Sequence, residues 1–151
     1  MNLSDLNQSE IGYIAGLIDS KGSLGVCRRK AGGGRSGNTL DWNIHFTSTN
    51  KEVIIWLTEE KGVFDGYYLA GKTKTGKDFY VANLSSKESC REFIETFLPF
   101  LRIKQEIASA MLELIKLYNP RRGERYELST EEVYLYEKIR RLNSNKGGRK
   151  K

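Results

Sequence analysis

Asp41, Asn43, His45 and Thr47 occupy every second position and alternate with Trp42, Ile44, Phe46 and Ser48. In an extended strand this spacing puts a carboxylate, an amide, an imidazole and a hydroxyl on one side, and mostly bulky apolar side chains on the other. The first set can donate and accept hydrogen bonds, so it makes a flat polar face, while the second set belongs to a core. Metal and thiol chemistry have little to draw on. Cys27 and Cys90 are the only cysteines and His45 the only histidine, too few ligands for a zinc site or a disulfide framework, and a reducing compartment fits. Lys and Arg outnumber Asp and Glu by 25 to 19, a formal charge of +6. That balance favours a polyanionic partner without naming one.

The elements that must carry these residues can be read from helix caps and turn residues. In a capping box a Ser, Thr or Asn side chain accepts from backbone N–H groups and a Glu three positions later reaches back. Four sites fit: Asn7 with Glu10, Thr49 with Glu52, Ser85 with Glu88, and Ser129 with Glu132. A further helix without a box is expected over 103–117, where Ile107, Met111, Leu114 and Ile115 recur at helical spacing before Pro120. Strands are expected over 23–29 and 40–49, joined by the glycine-rich segment 31–37. A second hairpin, 64–71 with 78–84, flanks the turn 72–77. The order is αββαββα with more helices after it. The 151-residue length suits one domain, taken as 1–142, and the basic, glycine-rich 143–151 reads as a flexible tail. The apolar stretch 11–18 is far short of a bilayer span and lacks the flank of a signal peptide. A soluble, intracellular protein is expected, whether in cytoplasm or organelle.

The first helix places Gly12, Ala15, Gly16 and Asp19 on one stripe and Ile11, Ile14 and Ile18 on another. An interior glycine costs a helix about 1 kcal/mol relative to alanine, so two on one stripe imply close approach of another backbone. That backbone belongs either to the chain's own sheet or to a symmetry mate.

Ile14, Ala15, Gly16, Leu17, Ile18, Asp19, Ser20, Lys21, Gly22 and Ser23 together resemble the LAGLIDADG motif of homing endonucleases with its trailing Gly-Ser, Ser20 and Lys21 being the departures. Leu98, Pro99, Phe100, Leu101, Arg102, Ile103, Lys104 and Gln105 resemble that family's connection into its late helix. The resemblance covers roughly residues 7 to 117. It implies an α+β fold of αββαββα order with additional C-terminal helices, whose saddle-shaped antiparallel sheet lies in the DNA major groove. It also implies a homodimer on a long, nearly palindromic duplex site, with Gly12, Ala15 and Gly16 at the seam and Asp19 on the same stripe. The implied base-facing residues are Gly25, Cys27 and Arg29, then Asp41, Asn43, His45 and Thr47, then Phe79, Val81 and Asn83 with Tyr67 and Leu69 opposite them. Arg28 falls on the nominal core face. Lys30, Arg35, Lys72, Lys74 and Lys77 are expected in loops, where phosphate contact is the usual role and plain solvation the alternative.

The family cleaves both strands with divalent metal, normally Mg²⁺, held by the second acid of the motif. That position is Lys21 here. The resemblance assigns Ser20 a ligating backbone carbonyl and places Asn50 and Lys104 near the active centre. Asn50 also reads as a helix N-terminal residue, Lys104 as a helix-start surface lysine, and Asp19 as a weak substitute ligand. A charged ammonium has no lone pair, so cleavage is expected to fail or slow severely while DNA binding becomes independent of metal. The alternative function is an RNA-binding intron maturase or splicing cofactor, since that fold serves both.

Overall fold

The computed structural model describes residues 3–29, 38–121 and 126–145. Helix α1 (Gln8–Lys21) leads into strand β1 (Gly22–Arg28), which pairs with β2 (Leu40–Ser48). Helix α2 (Lys51–Ile55) continues through one wider π turn, Trp56–Glu60, and is followed by β3 (Gly66–Lys72) and β4 (Asp78–Leu84). Helices α3 (Lys87–Phe97), α4 (Gln105–Leu117) and α5 (Thr130–Asn145) complete the chain. This is the expected αββαββα order with two helices added. The four strands form one antiparallel sheet in the order β1-β2-β4-β3.

Two of the four capping boxes close as expected. Asn7 accepts from the Glu10 N–H at 2.8 Å while Glu10 accepts from the Asn7 N–H at 3.0 Å. Ser129 and Glu132 exchange the same pair of bonds. The other two helices start one residue later than expected. Asn50 accepts from the Val53 N–H at 3.2 Å and Ser86 from the Ser89 N–H at 3.0 Å, so the caps are Asn50 and Ser86, not Thr49 and Ser85. Glu52 and Glu88 remain in the first turns, where their charge complements the positive helix end.

The sheet buries one face. Leu24, Val26, Trp42, Ile44, Phe46, Ala82 and Leu84 point to the helices, against Ile14, Ala15 and Ile18 of α1, Phe93 and Ile94 of α3 and Met111 and Leu114 of α4. β1 is an edge strand, and such edges invite unwanted pairing unless covered. Here the Asn143 side chain donates to the Leu24 carbonyl at 2.9 Å. This corrects the tail boundary, because residues 143–145 belong to α5; 146–151, like Lys30 and Arg35, lie outside the described residues. Among the described residues no helix is long and apolar enough to cross a membrane.

Candidate nucleic-acid interface

The uncovered face of the sheet follows from strand alternation and register. On β1 and β2, Ser23 pairs with His45, Gly25 with Asn43 and Cys27 with Asp41, and none of these six is buried. Arg28, on the nominal core side, is exposed at the strand end and donates to Asn38 at 3.0 Å. On β4, Asn83 pairs with His45 and Val81 with Thr47, so Phe79, Val81 and Asn83 face outward as expected.

β3 corrects the sequence reading. Directly paired residues of antiparallel strands share a face, and Tyr68 pairs with Val81, whereas Tyr67 pairs with Ala82 and Leu69 with Tyr80. Tyr68 is therefore the outward residue, 55% exposed. Tyr67 and Leu69 lie on the helix side, Tyr67 with its ring edge-on to Tyr80 at 6.3 Å. The register then shifts between Leu69 and Gly71. Gly71 has φ +157° and faces Phe79, where a Cβ would come within 3.3 Å of the ring. A side chain there would be strained and would crowd Phe79.

The outward side chains are partly ordered by one another. Asp41 accepts two bonds from the Arg29 guanidinium, from Nε at 2.7 Å and Nη2 at 2.8 Å, and this pairing raises the arginine pKa above its ordinary value. The Asn43 amide lies 3.1 Å from His45 Nδ1. With the amide as donor, Nδ1 accepts and the imidazole proton sits on Nε2. Lys72 donates to Asp78 at 2.7 Å, while Lys74 and Lys77 stand exposed in the turn 73–77.

Lys21 is exposed at the last turn of α1. It lines a surface depression of about 510 Å³ together with Thr47, Ser48, Thr49, Thr73 and Phe79. The motif lysine and the outward strand residues therefore border one space. Asn50 lies just beyond, serving as the α2 cap already described.

Asp19 is turned the other way. It is 9% exposed, and its carboxylate accepts from the backbone N–H groups of Arg102 at 2.7 Å, Ile103 at 3.2 Å and Lys104 at 3.0 Å. Lys104, 2% exposed, returns its ammonium to the Asp19 carbonyl at 2.8 Å. The end of α1 and the start of α4 thus cap each other. Lys104 is not a surface lysine, and Asp19 is spoken for as an acceptor. Ser20 is exposed, its hydroxyl donating to the Leu17 carbonyl at 3.0 Å.

The glycine stripe resolves into two sides. A Cβ added at Gly12 or Gly16 would meet nothing within 4 Å, so no backbone among the described residues accounts for those glycines. Ala15, fully buried, and Asp19 face this chain's own interior, which corrects their placement on the open stripe. Tyr13, 51% exposed and edge-on to Trp56 at 5.6 Å, flanks the glycines instead.

The two thiols differ in access. Cys27 is exposed on the outward face, whereas Cys90 is buried and its pKa is pushed up to about 12 by that burial. A thiol-specific reagent at pH 8 is expected to label Cys27 rapidly and Cys90 only on unfolding. Rapid labelling of both in the native protein would contradict this packing.

Compared with solved structures, the chain aligns with the homing endonuclease I-CvuI in complex with its target, at a TM-score of 0.68 and 18% identity over 97% of this chain and 88% of that one. It aligns with the group I intron-encoded homing endonuclease I-CeuI complexed with DNA at a TM-score of 0.69 and 15% identity, covering 95% and 72% of the two chains. For the I-LtrWI LAGLIDADG homing endonuclease bound to target DNA the values are 0.59 and 15%, over 99% of this chain and 47% of that one. Comparison with protein-family models and with curated proteins gives no match. The chain has the fold of the LAGLIDADG homing endonucleases.

Proposed function

We propose that this chain is a subunit of a homodimeric, site-specific double-stranded DNA-binding protein of the LAGLIDADG homing-endonuclease family, with phosphodiester cleavage disabled at Lys21. The observation that carries the reading is the outward sheet face, where base-reading side chains at period two run up to a depression bordered by Lys21. A twisted antiparallel sheet fits the major groove and offers alternate side chains to base edges. Lys74 and Lys77 in the turn suit phosphates. Gly12 and Gly16, open on α1, suit the matching helix of a second copy, which makes the site two-fold symmetric and the target nearly palindromic.

The neighbouring enzyme I-CvuI was crystallised with its target in the presence of Ca and with another target in the presence of Mg. The residues at the end of α1 do not fit such an ion. Both Asp19 oxygens accept backbone N–H groups, Lys21 carries no lone pair, and one Ser20 carbonyl per subunit is a poor cage for a cation that prefers several oxygen ligands. Two ammonium groups instead stand where the family places carboxylates, so attraction to the central phosphates replaces metal bridging.

Selection of duplexes from a randomised pool in EDTA tests this. The expected result is one enriched, nearly palindromic site bound by two chains, with affinity falling as salt rises. Specific binding that requires Mg²⁺ or Ca²⁺, or structured intron RNA outcompeting the duplex, would contradict it.

A further inference from the structure

The outward face changes chemistry along its length. At the end remote from Lys21 stand the Arg29–Asp41 pair and Cys27, then Asn43, then His45 with Asn83 and Ser23. The end beside Lys21 carries Thr47, Val81 and Tyr68 in one paired row and Phe79 beyond it. Phe79 and Val81 have no polar atom. Gly71, paired with Phe79, adds no side chain, so Phe79 and Val81 form a shallow apolar patch, rimmed by the hydroxyl-bearing Thr47, Thr73 and Tyr68.

We propose that the Lys21 end of the sheet reads pyrimidine C5-methyl groups, so that the base pairs nearest the centre of the bound site carry thymine or 5-methylcytosine under Phe79, Val81 and Tyr68. The inference rests on the DNA-binding reading above. A methyl is the one apolar group on a major-groove base edge. Amino and carbonyl groups pressed directly onto Phe79 and Val81 lose water without gaining a partner from either side chain, which disfavours them there. The charge around this zone matches the occupant, since Lys21 borders the depression and Lys74 and Lys77 stand in the turn at the same end of the sheet. Phosphates held there bring base edges down onto the apolar patch. The outer zone, by contrast, selects through hydrogen bonds, to which a methyl adds little.

The test uses the full chain and its selected duplex in EDTA. Replacing dT by dU at each central base pair is expected to weaken binding about fourfold per methyl, from ~0.8 kcal/mol for a buried methyl-sized group. The same replacement at outer pairs is expected to change little. Putting 5-methyl-dC where a central dC occurs should tighten binding, and Val81→Ser should abolish the dT over dU preference at its own step only. Equal affinity for dU and dT at the centre would overturn the proposal, as would a methyl effect confined to the outer pairs. Failure to select any duplex would sink the DNA-binding reading as well. A well-selected site indifferent to dU would sink this inference alone.

Discussion

Asp19→Ala is expected to destabilise the fold by about 2–4 kcal/mol, because a hydrogen bond to a charged group is worth ~1.5–3 kcal/mol and three are lost, two of them where water replaces part of the bond. Three backbone N–H groups of the turn into α4 lose their acceptor at once, and hydrogen bonds to a charged group are the stronger kind. Of the three donors only Lys104 is itself buried, while Arg102 and Ile103 are exposed, so water makes good part of the loss there. Against a total stability of ~5–15 kcal/mol for a domain, this is a large fraction, equivalent to roughly 10 °C in melting temperature. Asp19→Asn should recover only part of this, since its carbonyl oxygen can accept from Ile103 and Lys104 without the charge while its amide nitrogen opposes the Arg102 N–H. Urea titration measures the loss as a lower midpoint at unchanged slope. A loss below about 1 kcal/mol for Asp19→Ala would mean that the two helix ends do not depend on each other as described.

The partners of Asp19 also show why part of the site was out of reach of the sequence. The nearest N–H donor to its carboxylate lies 83 positions away, and local periodicity carries no information at that distance. The stripe on α1 failed for a simpler reason. Successive helical residues turn by about 100°, so Gly16 lies about 40° to one side of Gly12 and Ala15 about 60° to the other, which is enough to carry Ala15 into the core. β2 was legible because polar and apolar residues alternate strictly and one face is buried. β3 was not, because Tyr67 and Tyr68 are adjacent and either suits a half-buried surface. The register of β4, fixed by Ala82 and Leu84 going inward, settles which tyrosine faces out. The caps at Asn50 and Ser86 moved by one residue because neighbouring Thr49 and Ser85 are equally good candidates on type alone.

Lys21→Asp is expected to change function more than any other single substitution. In the proposed dimer it supplies one carboxylate per subunit at the depression shared with Thr47 and Phe79, and with the Ser20 carbonyl this makes a donor pair that hard cations accept. Metal-assisted phosphodiester cleavage draws several kcal/mol from such an ion. The gain is therefore at least about a thousandfold in rate. The fold should tolerate the change, because Lys21 is exposed. An acid in the last turn of a helix costs only ~0.3–1 kcal/mol against the dipole. In EDTA the same variant should bind its site at least about tenfold more weakly at ~0.1 M salt, since the proposed dimer would exchange two attractive charges near the phosphates for two repulsive ones.

The most direct measurement compares the chain as it stands with Lys21→Asp on the selected duplex, in Mg²⁺ and in EDTA, following both strand cleavage and binding. The account predicts tight binding without cleavage for the Lys21 protein in either condition, and cleavage of both strands by Lys21→Asp in Mg²⁺ alone. Equal cleavage by the two proteins, or failure of the Lys21 protein to bind the duplex without metal, would contradict it.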